Sequence, residues 1–219
     1  MKNITDALNW RYTTKVFDTD KKISEEDFSE IEQILQMAPT STNLQPNHFI
    51  IANDEAGKDR IAKAATGFYN FNNSKIKGAS HVIVFASKVL VDEKHLELVL
   101  EKESQDGRFT QESQKIQQGA GRRTFLNIHR FDLRDEGHWH AKQSYLVAGA
   151  VLLGAAELGI DATPIEGVDL QILNKEFDLE SQNLSANLVI ALGYHKEDED
   201  FNAKLPKSRL DKTTIITMA

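Results

Sequence analysis

The chain contains no cysteine, which excludes disulfides, thiolate nucleophiles, cysteine-ligated zinc and iron–sulfur clusters together. Proline is almost as scarce. Only Pro39, Pro46, Pro164 and Pro206 occur, and each reads as a stiff point in a loop between regular elements. Long apolar runs are missing too: the longest, Tyr145 to Leu158, is interrupted by Glu157 and is too short to span a bilayer. Basic residues do not predominate. With 26 Lys and Arg against 33 Asp and Glu, the formal charge is -7, so the broad cationic surface that general nucleic-acid binding needs is not available. The start, Met1-Lys2-Asn3-Ile4-Thr5-Asp6, has no apolar core of a signal peptide, and a cytoplasmic protein is expected.

Familiar catalytic motifs are also absent. Gly119-Ala120-Gly121 runs into Arg122-Arg123-Thr124 without a third glycine or a preceding strand, so it is not a dinucleotide fingerprint. There is no P-loop and no Gly-x-Ser-x-Gly elbow. His138 and His140 are two apart and diverge on a helix. They read as solvated or capping residues, and no metal is expected.

What is present is an ordinary core composition, 40% hydrophobic and 27% charged over 219 residues, read as a single domain over residues 1–219. Ser24 followed by Asp27 predicts a capped helix start, with Phe28, Ile31 and Leu35 on one face. Helices are also predicted over Asp54–Thr66, Asp92–Gln105, Gln111 to about Arg130, whose middle Gly119 and Gly121 should loosen, and His138–Leu158. Small residues in the last of these (Ala148, Gly149, Ala150, Gly154, Ala155, Ala156) suit a central core helix or the middle of a dimer. Short apolar runs predict buried strands at His48–Ala52, His81–Ala86 and Asn187–Leu192, with Ile160–Thr163 a weaker fourth. Strands separated by helices indicate a layered α/β or α+β domain.

Several separated segments are rich in groups that bind but do not attack: Arg11-Tyr12-Thr13-Thr14-Lys15, Pro39-Thr40-Ser41-Thr42-Asn43-Leu44-Gln45-Pro46, Phe71-Asn72-Asn73-Ser74-Lys75, and Pro164-Ile165-Glu166-Gly167. Near the C-terminus the carboxylate run Glu197–Asp200 gives way to Lys204-Leu205-Pro206-Lys207-Ser208-Arg209. Pro206 stiffens that segment, and a point charge beside a planar fork suits a phosphate or carboxylate. If head and tail meet, they form one anion site. Cations, hydroxyls and amides without an activated nucleophile suit a bound organic cofactor that carries the reaction.

These segments, with Asp106-Gly107-Arg108-Phe109, Gly121-Arg122 and Asp200-Phe201-Asn202-Ala203, resemble the oxygen-insensitive, FMN-dependent nitroreductases of the nitroreductase superfamily. The likeness runs in order along nearly the whole chain. Tyr12 stands where relatives often carry histidine, and Asn47 where a tryptophan commonly follows the proline. The resemblance implies an α+β fold, a central mostly antiparallel sheet flanked by helices, in an intertwined homodimer with an FMN at each of two interface sites. It implies that Arg11, Lys207 and Arg209 hold the FMN phosphate, with Tyr12 and Thr13 nearby, and that Lys15 and Asn72 meet the polar edge of the ring. Pro164 and Ile165 lead to Glu166 and Gly167, whose backbone amides address N5 and O4. Pro39, Thr40, Ser41, Asn43 and Gln45 reach the flavin of the other subunit. Lys15, Thr42, Phe68, Phe71, Asn72, Arg108 and Phe125 border the space for NADH or NADPH and the acceptor, with Phe125 as a gate. No side chain is assigned as catalytic, because flavin N5 carries the chemistry. The implied activity is ping-pong transfer of hydride from NAD(P)H to nitroaromatics, quinones or similar small molecules. The alternatives are dihydropteridine or free-flavin reduction on the same scaffold, and a non-enzymatic flavin-binding protein.

Overall fold

The structure, a computed structural model, describes residues 3–219. Ser24 caps α2 (Glu25–Met37) by accepting from the Asp27 amide, and Phe28, Ile31 and Leu35 are its buried face. Asp92 likewise caps α5 (Glu93–Gln105). The remaining helices are α1 (Ile4–Trp10), α3 (Glu55–Ala62), α4 (Asn73–Gly78), α6 (Glu112–Asn127), α7 (Glu136–Glu157), α8 (Leu170–Glu176) and α9 (Lys212–Ile215). Strands β1 (Asn47–Ala52), β2 (His81–Lys88), β3 (Asp161–Ile165) and β4 (Leu184–Gly193) form one sheet in the order β1-β2-β4-β3, antiparallel throughout. The α+β fold with helices flanking an antiparallel sheet is therefore as expected.

Central strands β2 and β4 are covered on both faces, which explains why their sequences read as continuous apolar runs and not as alternation. Val82, Val84, Val189 and Ala191 face one core with Ile61, Ile76 and Leu173 of α3, α4 and α8. Ile83, Phe85, Leu188, Ile190 and Leu192 face the other, with Ile31 of α2 and Val147 and Val151 of α7. Truncating Ile83 to alanine would cost about 2–5 kcal/mol by the usual cavity cost. Gly154 lets α2 lie close: a Cβ there would sit 2.2 Å from Ile34 Cδ1.

Four details differ from expectation. Pro164 lies inside β3, opposite Ile190, not between elements; β3 is an edge strand, where a missing amide donor is tolerated. The helix expected to reach Thr66 stops at Ala62. Gly119 does not loosen α6; a Cβ there would meet Leu100 Cδ2 at 3.0 Å, so its smallness allows α5 and α6 to approach, and α6 runs unbroken to Asn127 before widening into a π-turn at 128–132. His140 is fully buried with Nδ1 2.7 Å from the Lys88 carbonyl; it is a core residue, while His138 remains exposed.

Asn187 is the extra residue of a bulge, since Phe85 pairs with Leu188 and Ala86 with Ala186. Bulges re-aim side chains, and here the amide reaches Ser87 Oγ and Ser144 Oγ, both at 3.0 Å. Ser144 Oγ donates in turn to Asn47 Oδ1 at 2.7 Å. Strands β1 and β3 occupy opposite edges of the sheet, three strand spacings or roughly 14 Å apart; β3 ends level with the middle of β1 (Ile165 opposite Val189, Val189 opposite Val84, Val84 opposite Ile50) and runs toward the end of the sheet where β1 starts. Among the described residues no helix is long and apolar enough to cross a membrane.

Candidate functional site

Head and tail meet. Arg11, Tyr12 and Thr13 line a cavity of about 370 Å³ with Asn202, Lys207 and Arg209. The contact is built by residues far apart in the chain. Asp200, buried, accepts from the Lys15 amide at 2.9 Å and from the Tyr12 hydroxyl at 3.2 Å. Asn202 Nδ2 donates to the Thr13 carbonyl at 2.7 Å. On the other side the 12–15 segment joins the sheet: Thr13 bridges Ala162 in parallel, and Thr163 Oγ1 donates to the Thr14 carbonyl at 2.6 Å. Lys207 Nζ closes the end of α1, donating to the carbonyls of Leu8, Asn9 and Arg11, where a cation suits the helix dipole.

The charge of this cavity is one-sided. Among the described residues no salt bridge joins Arg11, Lys207 or Arg209 to a carboxylate. Arg11 Nε is buried with no hydrogen-bond partner. Burial, then repulsion from Arg209, lowers the Arg11 pKa; burial, then Arg11 and Arg209, lowers that of Lys207. An orphaned guanidinium donor among three mutually repelling cations fits a phosphate dianion, which would satisfy the donors and cancel the repulsion.

A second cluster continues along the same edge. After β3, the Gly167 carbonyl accepts from Asn72 Nδ2 at 2.8 Å, and Lys75 Nζ donates to Asn72 Oδ1 at 2.9 Å. A Cβ on Gly167 would lie 2.6 Å from that amide nitrogen, so any larger residue would push the Asn72 amide aside. Lys75 is buried, and burial followed by the charge of Lys15 lowers its pKa, placing the two lysines in one field. Nothing in the sequence distinguishes Lys75; beside Asn72 it looks like an ordinary helix-surface lysine, and only its burial marks it out. Phe71 and Phe68 are largely exposed and meet edge to face at 6.3 Å. The Glu166 carboxylate accepts from the Tyr145 hydroxyl at 2.5 Å, while burial and Glu166 push the Tyr145 pKa up to about 12.

The 39–46 loop stands apart, at the β1 edge. Ser41 N donates to Gln143 Oε1 at 2.8 Å, Gln45 N to Thr40 Oγ1 at 3.0 Å, and Leu44 is fully buried with Val91, Leu96, Leu126 and Trp139. Thr42, Asn43 and Gln45 all have positive φ, at 52°, 54° and 51°, a conformation that non-glycine residues seldom adopt. Arg108, whose amide donates to the Glu103 carbonyl at 3.0 Å, and Phe125, half exposed, belong to the α5–α6 hairpin on this side. Within one chain, therefore, Pro39, Thr40, Ser41, Thr42, Asn43, Gln45, Arg108 and Phe125 do not join the cluster of Asn72, Glu166 and Gly167.

The geometry supplies an anion cavity and a donor-rich strip running from it. A flavin mononucleotide has the matching parts: a phosphate for the cations and a flat ring with polar edges for the strip. Comparison with known proteins points the same way. Residues 8–194 match the model of the nitroreductase family. The chain belongs to the nitroreductase family. It is 47% identical over 215 residues to an oxygen-insensitive NAD(P)H nitroreductase of Salmonella typhimurium, covering 98% of this chain and 99% of that one. It is 34% identical over 215 residues to the major NAD(P)H-flavin oxidoreductase of Aliivibrio fischeri, covering 98% of both. Among solved structures, a protein of Exiguobacterium sibiricum assigned as a nitroreductase, in complex with FMN, superposes with a TM-score of 0.81 at 23% identity over 100% of this chain and 98% of that one; this last likeness speaks for the nitroreductase fold.

Proposed function

We propose that this nitroreductase-family chain is an FMN-dependent oxidoreductase, a single FMN-binding domain that passes hydride from NAD(P)H to nitroaromatics, quinones and similar small acceptors. The observation that carries the reading is the uncompensated cation trio with the partnerless Arg11 Nε. FMN, when bound, would supply the redox chemistry that no side chain here provides. The protein binds and orients. Arg11, Lys207 and Arg209 would hold the phosphate, each charged hydrogen bond contributing roughly 1.5–3 kcal/mol. Asn72, Lys15 and Lys75 would meet the polar ring edge, and the Glu166 and Gly167 amides the opposite one. NAD(P)H and acceptor would use one space in turn, which gives ping-pong kinetics.

The 39–46 loop, Arg108 and Phe125 would complete the site from a second copy of the chain, because within one chain they lie at the opposite sheet edge. The tail from Phe201 on offers exposed Leu205, Leu210, Ile215, Ile216 and Met218, apolar surface suited to wrapping a partner. The assembly would be an intertwined homodimer.

The test is optical. Purified protein should be yellow and should bleach on anaerobic addition of NADH or NADPH. A colourless protein that takes up no FMN overturns the reading; colour that persists makes it a binding module. Free-flavin reduction is a second reading, supported by the likeness to the Aliivibrio fischeri protein, and steady-state rates with FMN, quinones and nitroaromatics as acceptors separate the two. Lys15 carries its own prediction. A cation about 4 Å from charge gained on reduction contributes on the order of 4 kcal/mol at an effective dielectric near 20. Lys15→Met should keep FMN and lower its midpoint potential; an unchanged potential in a spectroelectrochemical titration removes that role.

A further inference from the structure

The 40–45 loop is held by a charged pair that phosphate and ring binding leave unused. Glu103 of α5 and Arg122 of α6 are each 2% exposed. Arg122 Nη2 donates to Glu103 Oε1 at 2.6 Å and Arg122 Nε to the Thr42 carbonyl at 2.9 Å. Asn43 Nδ2 donates to the same Glu103 oxygen at 2.7 Å. Both residues of the loop that the pair grips are in the positive-φ conformation, so the clamp acts where the backbone has least intrinsic preference for its shape. A buried pair of this kind is poor evidence for stability, since well-packed apolar residues of similar volume often do as well. This pair is also incompletely satisfied: Glu103 Oε2, Arg122 Nη1 and the adjoining Thr42 Oγ1 are all buried without partners. What it adds is geometry. A guanidinium fork can serve a helix neighbour and a loop carbonyl at fixed angles, which an ammonium cannot.

Phe125 follows Arg122 by one helical turn and points outward, half exposed. Arg122 therefore ties the segment carrying Phe125 to the segment carrying Thr42. We propose that Glu103 and Arg122 are positioning residues that fix the spacing between Thr42 and Phe125, and with it the size of electron acceptor admitted. The inference rests on the reading that these two residues border the acceptor space.

Two variants test it. Glu103→Leu with Arg122→Met replaces the pair by apolar groups of similar volume. Arg122→Lys keeps the charge and the packing stem but loses the fork. Both should show faster amide hydrogen exchange at Leu44 and Gln45, by about tenfold or more. In both, the kcat/KM ratio for a bulky quinone over a small one should rise about tenfold through KM, while the rate of anaerobic bleaching by NADH changes less than threefold. Unchanged exchange in Arg122→Lys overturns the clamp even if the double variant fails to fold. Faster exchange with an unchanged acceptor ratio overturns the link to acceptor size. If wild-type protein itself does not bleach, the oxidoreductase reading has failed instead, and the exchange result still judges the clamp.

Discussion

Arg11 and Arg122 are the same residue in opposite circumstances. Arg122 is enclosed between two helices, with a carboxylate and a carbonyl within 3 Å. Arg11 is half-buried among cations, its Nε has no acceptor, and the charges of Lys207 and Arg209 repel its guanidinium. One guanidinium completes the protein; the other, on the proposed reading, would be completed by a ligand. The difference teaches how to tell a structural cation from a binding one: burial alone does not separate them, but the presence of an anion in the protein does.

The sharpest way to break the comparison is to remove the anion from the structural side. Glu103→Gln leaves a buried charge uncompensated and should cost about 3–5 kcal/mol of stability, lowering the melting temperature by roughly 6–20 °C. Arg11→Gln, by contrast, should leave the melting temperature of FMN-free protein unchanged or slightly raised, because it relieves repulsion. Equal losses in thermal denaturation would erase the distinction.

Next in size is the binding side. Neutralising Lys207 and Arg209 together should weaken FMN about a hundredfold, two charged hydrogen bonds discounted for their exposure. Fluorescence titration of FMN would measure it, and the wild-type affinity should fall more steeply with salt than that of the variant. Hydride transfer in the variant's remaining holoenzyme should change little. Loss of transfer rate without loss of affinity would mean that the tail does more than tether.

His81 sharpens the comparison with a third case, a basic group among cations that stays neutral. It is buried against Phe28, ring centroids 3.9 Å apart, with Ser80 Oγ 3.0 Å from Nδ1. Burial, then Lys22 and Lys58, lowers its pKa to about 4. The unfolded chain therefore binds the proton first, and stability should be whole above about pH 6.5 and decline as pH falls toward 4, by up to roughly 3 kcal/mol. A His81→Gln variant should flatten that part of the stability profile. A profile identical to wild type assigns the slope to other groups.

The smallest effect is expected at Tyr145. Removing its hydroxyl in Tyr145→Phe breaks the hydrogen bond to Glu166, but both partners are partly exposed, so stability should change by under about 1 kcal/mol. Stopped-flow flavin reduction should also stay within about threefold if the Glu166 backbone is its working part. A larger fall would give the carboxylate a role.

Much of this was legible in the chain because the physics is local. Ser24 announces a helix start through its cap, and the apolar runs of β2 and β4 announce burial on both faces. The cation trio was readable because an acidic protein gathers cations near Pro206 without an obvious surface reason. What stayed hidden depends on where elements end up. Pro164 reads as loop punctuation until the sheet order makes β3 an edge. Lys75 and His140 look solvated until packing buries them. Glu103 and Arg122, 19 residues apart, look like members of helix-surface charge patterns, and nothing local distinguishes a pair that meets in the interior.

The clasp between the two ends of the chain bears on when the site can exist. Lys15 is held by a residue 185 positions later, and Lys207 caps a helix whose Leu8 lies 199 positions earlier. Both β4 and the cation tail follow α1 and the 11–15 segment by more than 160 residues, so at a translation pace of about 5–20 residues per second they emerge roughly 10–30 s later. The cavity lined by Arg11, Tyr12 and Thr13 cannot close before residues 202–209 have been made. A truncation at Glu199 should therefore yield chains that have lost both the latch (Asp200, Asn202) and the cations Lys207 and Arg209 at once.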